Sequence, residues 1–354
     1  PAVPSALSLS GKRRAPVIVA ALGVTQIIGW GSVFSPLTVL ADPIGKDIGA
    51  PRELVFFGIT LMLLVSALFA PRIGKRVDAD GARVVMMTGS AMAAVSMVAM
   101  AVARGPATYL LAWAIAGIAM PMMLTNAAMP GLVQAIGPNA RRAITGLMLL
   151  SGLTSTIFLP LISALSDKVG WRGIYLIFAG MHLCICLPVH ALVMRRAPGG
   201  PEKPAARVGI SVPVDPPLPV ERRRGAFLML ATWSCTEGLI TWGLYLQVID
   251  ILQSQGISKS DAILIWMIVG PAQAAARLGE LVLAHRHSIY STAVASALLT
   301  TASFLAVLPI GVTMPTAIVF SLAIGLGHGL FAIARNTLPL TLFGAREYGS
   351  YMGL

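Results

Sequence analysis

The sequence predicts an all-α integral membrane protein built from two helical bundles. Its 354 residues are 56% hydrophobic and only 11% charged, with a mean hydropathy of +0.81, whereas soluble domains carry about a quarter charged residues. The apolar runs are unbroken and roughly 20 residues long, which is the length that an α-helix needs to cross the bilayer core. A transmembrane barrel is excluded because its strands would alternate polar and apolar residues.

Apolar runs long enough to span a membrane fall into two sets that are separated by a polar stretch. The first set covers residues 17–40, 54–70, 84–103, 109–136, 143–166 and 173–194 and predicts an N-terminal bundle over residues 1–196. Residues 197–224 are rich in proline and charge and are predicted to form a linker. The second set covers residues 226–252, 262–284, 290–310 and 316–343 and predicts a C-terminal bundle over residues 225–354.

The distribution of bases predicts the orientation. The first apolar run follows Lys12, Arg13 and Arg14, and it is too long for the core of a signal peptide, so we expect an uncleaved first helix. A cytoplasmic N-terminus puts most of the 26 bases on the inside, the linker included, as the positive-inside rule requires. The net charge of +12 lies in short loops rather than on one folded surface, which excludes nucleic-acid binding. We therefore expect a multi-pass protein of the cell (inner) membrane.

The two sets of spans show weak internal similarity. The run from Arg72 to Lys75 matches the run from Arg277 to Glu280, and Gly117 aligns with Gly325 at nearly the same offset of about 205 residues. Such repeats are frequent in transporters. The offset implies that the second half lacks the last two helices of the first, with residues 348–354 forming the opening turn of an eleventh helix.

The charged stretch between the second and third spans carries a family signature. Gly74, Asp78, Gly81 and Arg83 in GKRVDADGAR resemble the Gly-x-x-x-Asp-Arg-x-Gly-x-Arg signature that the major facilitator superfamily carries at this position. Six helices, a long linker, a second helical set and a Gly-Trp-Arg at residues 170–172 extend the resemblance over nearly the whole chain. It implies a fold of two pseudo-symmetric bundles.

The resemblance also implies a contact for the acidic residue of the signature. In the family this residue binds near the start of helix eleven and holds the outward-facing state, so we expect Asp78 to face Gly349 and Ser350. A carboxylate at a helix N-terminus gains about 0.3–1 kcal/mol. The sequence departs from the signature at Ala79, where the family has arginine.

In this superfamily helices one, four, seven and ten line the central cavity, which ranks the polar residues on them. Glu237 is the acidic residue in the middle of a span, and ionisable groups inside a membrane are costly enough to be functional candidates. Thr241 lies one turn from Glu237 on the same face. His328 and Arg335 share a face of helix ten, and a relay between Glu237 and His328 is one interpretation. A purely structural buried histidine is the other.

Further candidates for the substrate or proton pathway lie on helices one, four and eight. Gln26 and Trp30 on helix one and Asn126 on helix four are equally compatible with ordinary helix packing. Arg277 resembles the arginine of monocarboxylate transporters, but Gln273 stands where those proteins carry aspartate. A guanidinium suits a carboxylate substrate, although a base that anchors the helix at the membrane surface is an alternative.

The sequence therefore predicts a secondary transporter that moves a small solute by alternating access. We expect coupling to protons and a substrate such as an organic anion, for example a monocarboxylate. An efflux transporter for a drug or a metalloid, or a receptor on the same fold, is the alternative. Enzyme motifs are missing, no cofactor or metal is expected, and the expected partners are the solute, protons and the lipid bilayer, with the protein as a monomer.

Overall fold

The computed structural model of the protein describes residues 11–136, 140–194, 218–284, 286–345 and 347–353, and within these ranges every regular element is a helix. The chain divides into two compact units. The first comprises Pro1–Pro213 together with Ala345–Leu354, and the second comprises Val214–Gly344. The predicted linker lies outside the described residues as far as residue 217, and its last residues, 220–224, begin a helix.

Within the described residues, the first unit begins with nine α-helices and one short π-helix. They are α1 (Gly11–Phe34), α2 (Pro36–Ile48), α3 (Arg52–Asp80), α4 (Ala82–Ala101), α5 (Pro106–Met123), α6 (Thr125–Ile136), α7 (Ala140–Ser151), α8 (Thr154–Met181), the π-helix (His182–Cys186) and α9 (Leu187–Val193).

The second unit follows with five helices in the described residues. They are α10 (Val220–Ser254), α11 (Lys259–Met267), α12 (Val269–Leu283), α13 (Ile289–Ile310) and α14 (Met314–Phe343). The last helix, α15 (Tyr348–Gly353), belongs to the first unit and packs against α3.

Seven helical stretches of the described chain are long and apolar enough to cross a membrane. The predicted spans over residues 226–252 and 262–284, and residues 143–159 of the predicted fifth span, are largely helical but lie outside these stretches. The seven stretches are Ala15–Phe34, Arg52–Asp80, Ala82–Ala101, Pro106–Ile136, Pro160–Val193, Ile289–Ile310 and Met314–Phe343.

Four of the spans predicted as single helices are broken in the structure, over residues 17–40, 109–136, 143–166 and 262–284. The run over residues 17–40 divides at Ser35, because Pro36 has no N–H and its ring clashes with the carbonyl four residues earlier. The run over residues 109–136 divides at Leu124, whose extended backbone (φ −91°, ψ −156°) separates α5 from α6. Backbone that leaves the helix inside a membrane needs other partners for its polar groups.

The charged stretch over residues 74–83 is more helical than a loop between two spans. Helix α3 continues through Gly74 and Asp78 to Asp80, and α4 begins at Ala82. Gly81 alone leaves the helical conformation, with a φ of 86° that residues with a Cβ rarely adopt. The direction of the Asp78 side chain is therefore fixed by a regular helix.

Apolar side chains cover much of the surface, and polar side chains lie inside. Leu64 and Leu68 are each 62% exposed in the first unit, and Leu308 is 77% exposed in the second. This distribution is typical of a protein in a bilayer, because the lipid core solvates apolar groups and offers no hydrogen-bond partners to polar ones. Buried polar residues include Gln26, Ser90, Ser96, His182, His190, Glu237, Glu280 and His328.

The two glycines that the internal repeat aligned make corresponding contacts, each within its own unit. A Cβ on Gly117 of α5 would lie 2.7 Å from the carbonyl oxygen of Met62 on α3, and a Cβ on Gly325 of α14 would lie 2.8 Å from that of Val269 on α12. Small residues allow such close helix packing in membranes. Any larger residue at either position would force the helix pair apart.

An acidic residue at the end of α2 ties three elements of the first unit together. Asp47 accepts a hydrogen bond from Trp171 Nε1 at 2.9 Å and forms an ion pair with Arg172. The guanidinium of Arg172 also donates to the carbonyl oxygen of Ala103, at 2.6 Å, just after the end of α4. The Gly-Trp-Arg motif thus links α8 to α2 and to the end of α4.

We expect Asp47→Ala to lower the free energy of unfolding by about 1–2 kcal/mol, since it leaves the Trp171 N–H and the Arg172 guanidinium without their shared acceptor. Asp42→Ala on the same helix is the matched control, because the Asp42–Arg52 pair is 3.7 Å long and 65% exposed on both sides. Thermal unfolding in detergent measures both variants. Equal melting temperatures for the two would contradict the structural role of Asp47.

Candidate functional site

A buried carboxyl group and a buried imidazole lie side by side in the second unit. Glu237 lies near the middle of α10 and His328 near the middle of α14, and the two residues are 3% and 6% exposed. Glu237 Oε2 is 3.7 Å from His328 Nε2. This is within ion-pair reach and about 1 Å longer than a charge-assisted hydrogen bond. The two candidates singled out from the sequence are therefore neighbours.

The hydroxyl of Thr241 fixes how the imidazole is protonated. Thr241 Oγ1 donates to the carbonyl oxygen of Glu237 at 2.7 Å and lies 3.2 Å from His328 Nε2. Because a hydroxyl has a single proton, Thr241 accepts from the ring, and Nε2 of His328 carries the hydrogen. The same nitrogen is 3.2 Å from the threonine oxygen and 3.7 Å from Glu237 Oε2.

Two further polar groups face the carboxyl group of Glu237. They are the indole N–H of Trp233, one turn earlier on α10, and the hydroxyl of Thr300 on α13. Within the described chain, none of Trp233 Nε1, Thr300 Oγ1 and Glu237 Oε2 forms a well-aligned hydrogen bond. The Trp233 ring is held edge-on against Phe331, with centroids 5.0 Å apart. Buried polar atoms without well-formed hydrogen bonds are costly. This cluster can therefore form additional hydrogen bonds to a proton, a water or a polar ligand.

The two arginines proposed for substrate binding differ in their surroundings. Arg335 follows His328 by two turns of α14, is exposed, and forms no hydrogen bond or ion pair with the residues that the structure describes. Arg277 of α12 is half-buried and donates from Nη2 to Gln273 Oε1 at 3.1 Å. The two guanidinium groups thus differ, because Arg277 is bound to the glutamine at the position where monocarboxylate transporters have aspartate and Arg335 is exposed.

In the first unit Asp78 receives three hydrogen bonds from the start of α15. The N–H of Gly349 donates to Oδ1 at 2.8 Å, and the N–H and hydroxyl of Ser350 donate to Oδ2 at 2.6 and 2.7 Å. The contact that the family resemblance implied is therefore present. A carboxylate that accepts several donors at a helix start gains both hydrogen-bond and dipole energy.

The face of α3 on which α15 lies is shaped for close backbone contact. A Cβ on Gly74 would collide with the carbonyl oxygen of Gly349, and a Cβ on Gly353 would collide with the backbone of Ala70. Gln134 of α6 binds both sides of the turn between α3 and α4. It donates to the carbonyl of Val77 at 3.0 Å and accepts from the N–H of Ala82 at 3.2 Å.

The remaining signature and pathway residues lie near this face of α3 and near the break between α5 and α6. Gln26 of α1 is fully buried and donates to the carbonyl oxygen of Met123 at 2.9 Å, at the end of α5. Asn126 of α6 donates to the carbonyl oxygen of Met352 at 2.8 Å. Trp30 stacks on Phe34 with centroids 5.2 Å apart. Gly81 forms the turn, and Arg83 is half-buried at the start of α4.

Two histidines on the sixth predicted helix have structural partners. His182 Nε2 lies 2.9 Å from Ser32 Oγ, and His190 Nδ1 lies 2.9 Å from Ser90 Oγ. Each residue is at most 1% exposed. These pairs join the sixth predicted helix to α1 and α4, which indicates a structural role for both histidines.

Sequence reasoning missed several residues around the site. Thr300, Gln134 and the pair of Glu280 with His287 received no role, although His287 Nε2 and Glu280 Oε2 are 2.8 Å apart and Glu280 is 3% exposed. One signal was available, because Thr292, Ser296 and Thr300 repeat every fourth residue of an apolar helix. The partners across helices could not be read from the sequence, since they depend on helix rotation.

The apolar exterior, the membrane-length helices and the buried ionisable groups define a polytopic membrane protein of the transporter class. A sequence profile described as Major Facilitator Superfamily matches residues 20–354. The chain therefore belongs to the major facilitator superfamily, a family of membrane transporters rather than enzymes.

Comparison with solved structures supports the same fold. Matches include 167 chains, among them the crystal structure of the human organic anion transporter MFSD10 (TETRAN). This chain superposes on it with a TM-score of 0.68 and 17% sequence identity, covering 98% of this chain and 89% of that one. A comparison with curated protein sequences gives no match.

Proposed function

We propose that the protein is a proton-coupled transporter of a small organic anion that works by alternating access. The pairing of Glu237 with His328 supports this most strongly, because a carboxyl group and an imidazole 3.7 Å apart are buried together in a membrane-embedded unit. Groups of this kind inside membranes mark ion and proton pathways. We assign the coupling proton to this pair.

The chemistry of the pair suits a reversible proton transfer. His328 Nε2 lies 3.2 Å from Thr241 Oγ1 and 3.7 Å from Glu237 Oε2, so an approach of about 1 Å brings it to hydrogen-bond distance from Oε2. The proton then leaves the imidazolium nitrogen for the carboxylate oxygen and yields a neutral imidazole and a neutral carboxylic acid. Both products are tolerated in an apolar surrounding better than separated charges are.

An anionic substrate is supported by the arginine on the same helix. Arg335 is exposed and uses none of its five donors on the described residues. A guanidinium binds both oxygens of a carboxylate in a fixed fork. The similar structure of MFSD10 is named as an organic anion transporter, which agrees with this choice of substrate class.

The proposal also covers the orientation of the chain in the membrane and the role of the Asp78 contact. The bases of the chain favour a cytoplasmic N-terminus, and we propose that the protein acts as a monomer in the inner membrane. The contact of Asp78 with Gly349 and Ser350 would hold one conformation of the transport cycle, and its breakage would accompany the change to another.

A flux screen tests the function. The purified chain is placed in vesicles of phosphatidylethanolamine and phosphatidylglycerol, and uptake of radiolabelled lactate, succinate, glycine and tetraethylammonium is measured with and without a pH gradient. We expect lactate or succinate to enter and the pH gradient to accelerate its uptake. Binding of all probes without flux would indicate a receptor, and acceleration of tetraethylammonium alone would contradict an anion transporter.

We expect Arg335→Gln to reduce carboxylate uptake at least about tenfold, since the loss of a bidentate charged contact is worth more than 1.4 kcal/mol. Arg335→Lys should restore part of the rate, because it keeps the charge without the fork. Arg286→Gln, in the exposed turn before α13, is the control and should leave uptake unchanged. Equal uptake by both glutamine variants would remove Arg335 from the substrate site.

A further inference from the structure

Helix α13 carries a row of buried hydroxyl groups along one face. Thr292, Ser296 and Thr300 are spaced four residues apart and are 2%, 0% and 3% exposed. Residues four apart lie on the same side of a helix. This side faces α14, because Ser296 donates to the carbonyl oxygen of Gly327 at 2.9 Å and a Cβ on Gly327 would lie 2.9 Å from Thr300 Oγ1. We call these three hydroxyl groups the hydroxyl row.

One end of the hydroxyl row meets a carboxylate and a histidine that the transport mechanism does not use. Thr292 Oγ1 lies 3.3 and 3.2 Å from the two oxygens of Glu280, and its hydroxyl donates to this carboxylate. Glu280 Oε2 lies 2.8 Å from Nε2 of His287, in the turn between α12 and α13. The Glu280 side chain is 2% exposed and that of His287 is 31% exposed. The pair thus links a buried carboxylate to a partly exposed imidazole in the turn between α12 and α13.

The other end of the hydroxyl row meets the Glu237 cluster. Thr300 Oγ1 faces the carboxyl group of Glu237, which is beside His328. The contact between Thr300 Oγ1 and Glu237 Oε2 falls short of a well-formed hydrogen bond, and both residues are 3% exposed. A poorly formed polar contact inside a membrane protein leaves hydrogen-bonding capacity for a further proton or water beside it.

We propose that the hydroxyl row is a proton path that connects the Glu280–His287 pair to Glu237. Thr300 follows Thr292 by eight positions, which is about 12 Å along the helix at 1.5 Å per residue. Neighbouring members have Cβ atoms about 6 Å apart, a gap that a single water bridges with two hydrogen bonds. The inference rests on the proposed function, since it supplies the proton that the Glu237–His328 pair uses.

The transfer conserves charge at every step. The imidazolium of His287 gives its Nε2 proton to the Glu280 carboxylate. Glu280 passes this proton to Thr292 and becomes a carboxylate again. Each hydroxyl or water of the path then accepts one proton and releases another to its neighbour, and the last proton binds a Glu237 oxygen. At the end, only the charge on His287 and the charge on Glu237 have changed.

The competing explanation is that the hydroxyl row serves only to pack α13 against α14. A threonine-to-valine change separates the two explanations, because valine keeps the branched shape and removes the hydroxyl. The measurement needs no substrate. A rapid pH jump is applied to the purified full chain, and the infrared band of the protonated Glu237 carboxyl is followed in time, with the band identified by its loss in Glu237→Gln.

We expect Thr300→Val and Thr292→Val to slow protonation of Glu237 at least about tenfold without changing the final band intensity. Thr300→Ser should retain the normal rate. Thr301→Val, on the exposed side of the same helix, is the matched control and should also be normal. The melting temperatures of all four variants identify any effect that comes from packing.

Two outcomes would overturn the inference, and they are distinguishable. Normal rates in both Thr300→Val and Thr292→Val, with the Glu237 band present, would overturn the path and leave the proton site intact. If no band is lost in Glu237→Gln, Glu237 does not titrate, and both the proposed proton site and the path to it are wrong.

Discussion

Replacing Glu237 with glutamine is expected to abolish uptake of a carboxylate driven by a pH gradient while exchange of the same carboxylate across the membrane continues. Exchange requires the substrate site and the conformational change, and neither needs a proton to be carried. Driven uptake requires a group that binds and releases a proton in each cycle. Glutamine has nearly the shape of glutamic acid and cannot do this.

The structure gives this substitution a large expected effect. Glu237 is 3% exposed and lies 3.7 Å from His328, and no other described carboxyl group is close to that imidazole. We therefore expect the pH-driven component to fall at least about a hundredfold, which corresponds to a loss of more than 2.7 kcal/mol of coupling. The measurement compares lactate uptake with and without a gradient in the same vesicles.

Glu221→Gln is the matched control for this prediction. Glu221 lies in the first turn of the same helix and is exposed, so its replacement should change neither driven uptake nor exchange. Normal pH-driven uptake in Glu237→Gln would remove Glu237 from the mechanism. Loss of exchange together with driven uptake would assign Glu237 to substrate binding or folding instead.

The second large effect is expected for Asp78→Asn, which should detach α15 from α3. The carboxylate accepts three hydrogen bonds, from the N–H groups of Gly349 and Ser350 and from the Ser350 hydroxyl. An asparagine amide presents N–H donors to one of these groups and loses the charge. Hydrogen bonds to charged groups contribute about 1.5–3 kcal/mol each, so loss of even one shifts the docked population more than about tenfold.

Hydrogen–deuterium exchange of residues 345–354 measures this detachment. We expect exchange in this segment to accelerate about 10- to 100-fold in Asp78→Asn, since opening frees the two bonded N–H groups. Carboxylate flux should fall in parallel if the contact holds one conformation of the cycle. Asp80→Asn is the matched control, because Asp80 ends the same helix and its side chain is exposed. Equal exchange in both variants would show that Asp78 does not hold α15.

The steric side of the same contact explains why the signature begins with glycine. At Gly74 any side chain would collide with the carbonyl oxygen of Gly349, so alanine there should undock α15 even though Asp78 is unchanged. The charged and steric parts of the signature therefore act on the same short helix. Gly74 and Asp78 both contact α15 because they are four residues apart on one regular helix and so lie on the same face.

Much of the fold was accessible from the sequence because hydropathy is a local property. Apolar runs placed the helices, and the signature placed Asp78 opposite Gly349 and Ser350. The breaks at Ser35 and Leu124 were not foreseen. Proline marks the first, but the second depends on partners from elsewhere, such as Gln26 on the carbonyl of Met123.

The candidate site was accessible only in part. Glu237 and His328 stood out because ionisable residues are rare in spans, and their proximity follows from the positions of helices seven and ten in the family. Thr300 and Glu280 did not stand out. A threonine is common in membrane helices, and the closeness of Thr300 to Glu237 depends on the rotation of α13, which packing against Gly327 determines.

The most direct test of proton-coupled anion transport follows protons while lactate alone supplies the driving force. Vesicles that contain the protein and a pH-sensitive dye, with equal pH on both sides, receive a lactate gradient directed inward. Coupling predicts that the lumen acidifies faster than in protein-free vesicles or in vesicles with Glu237→Gln, in fixed proportion to labelled lactate uptake. Lactate entry through the wild-type protein with no acidification beyond those two controls would contradict it.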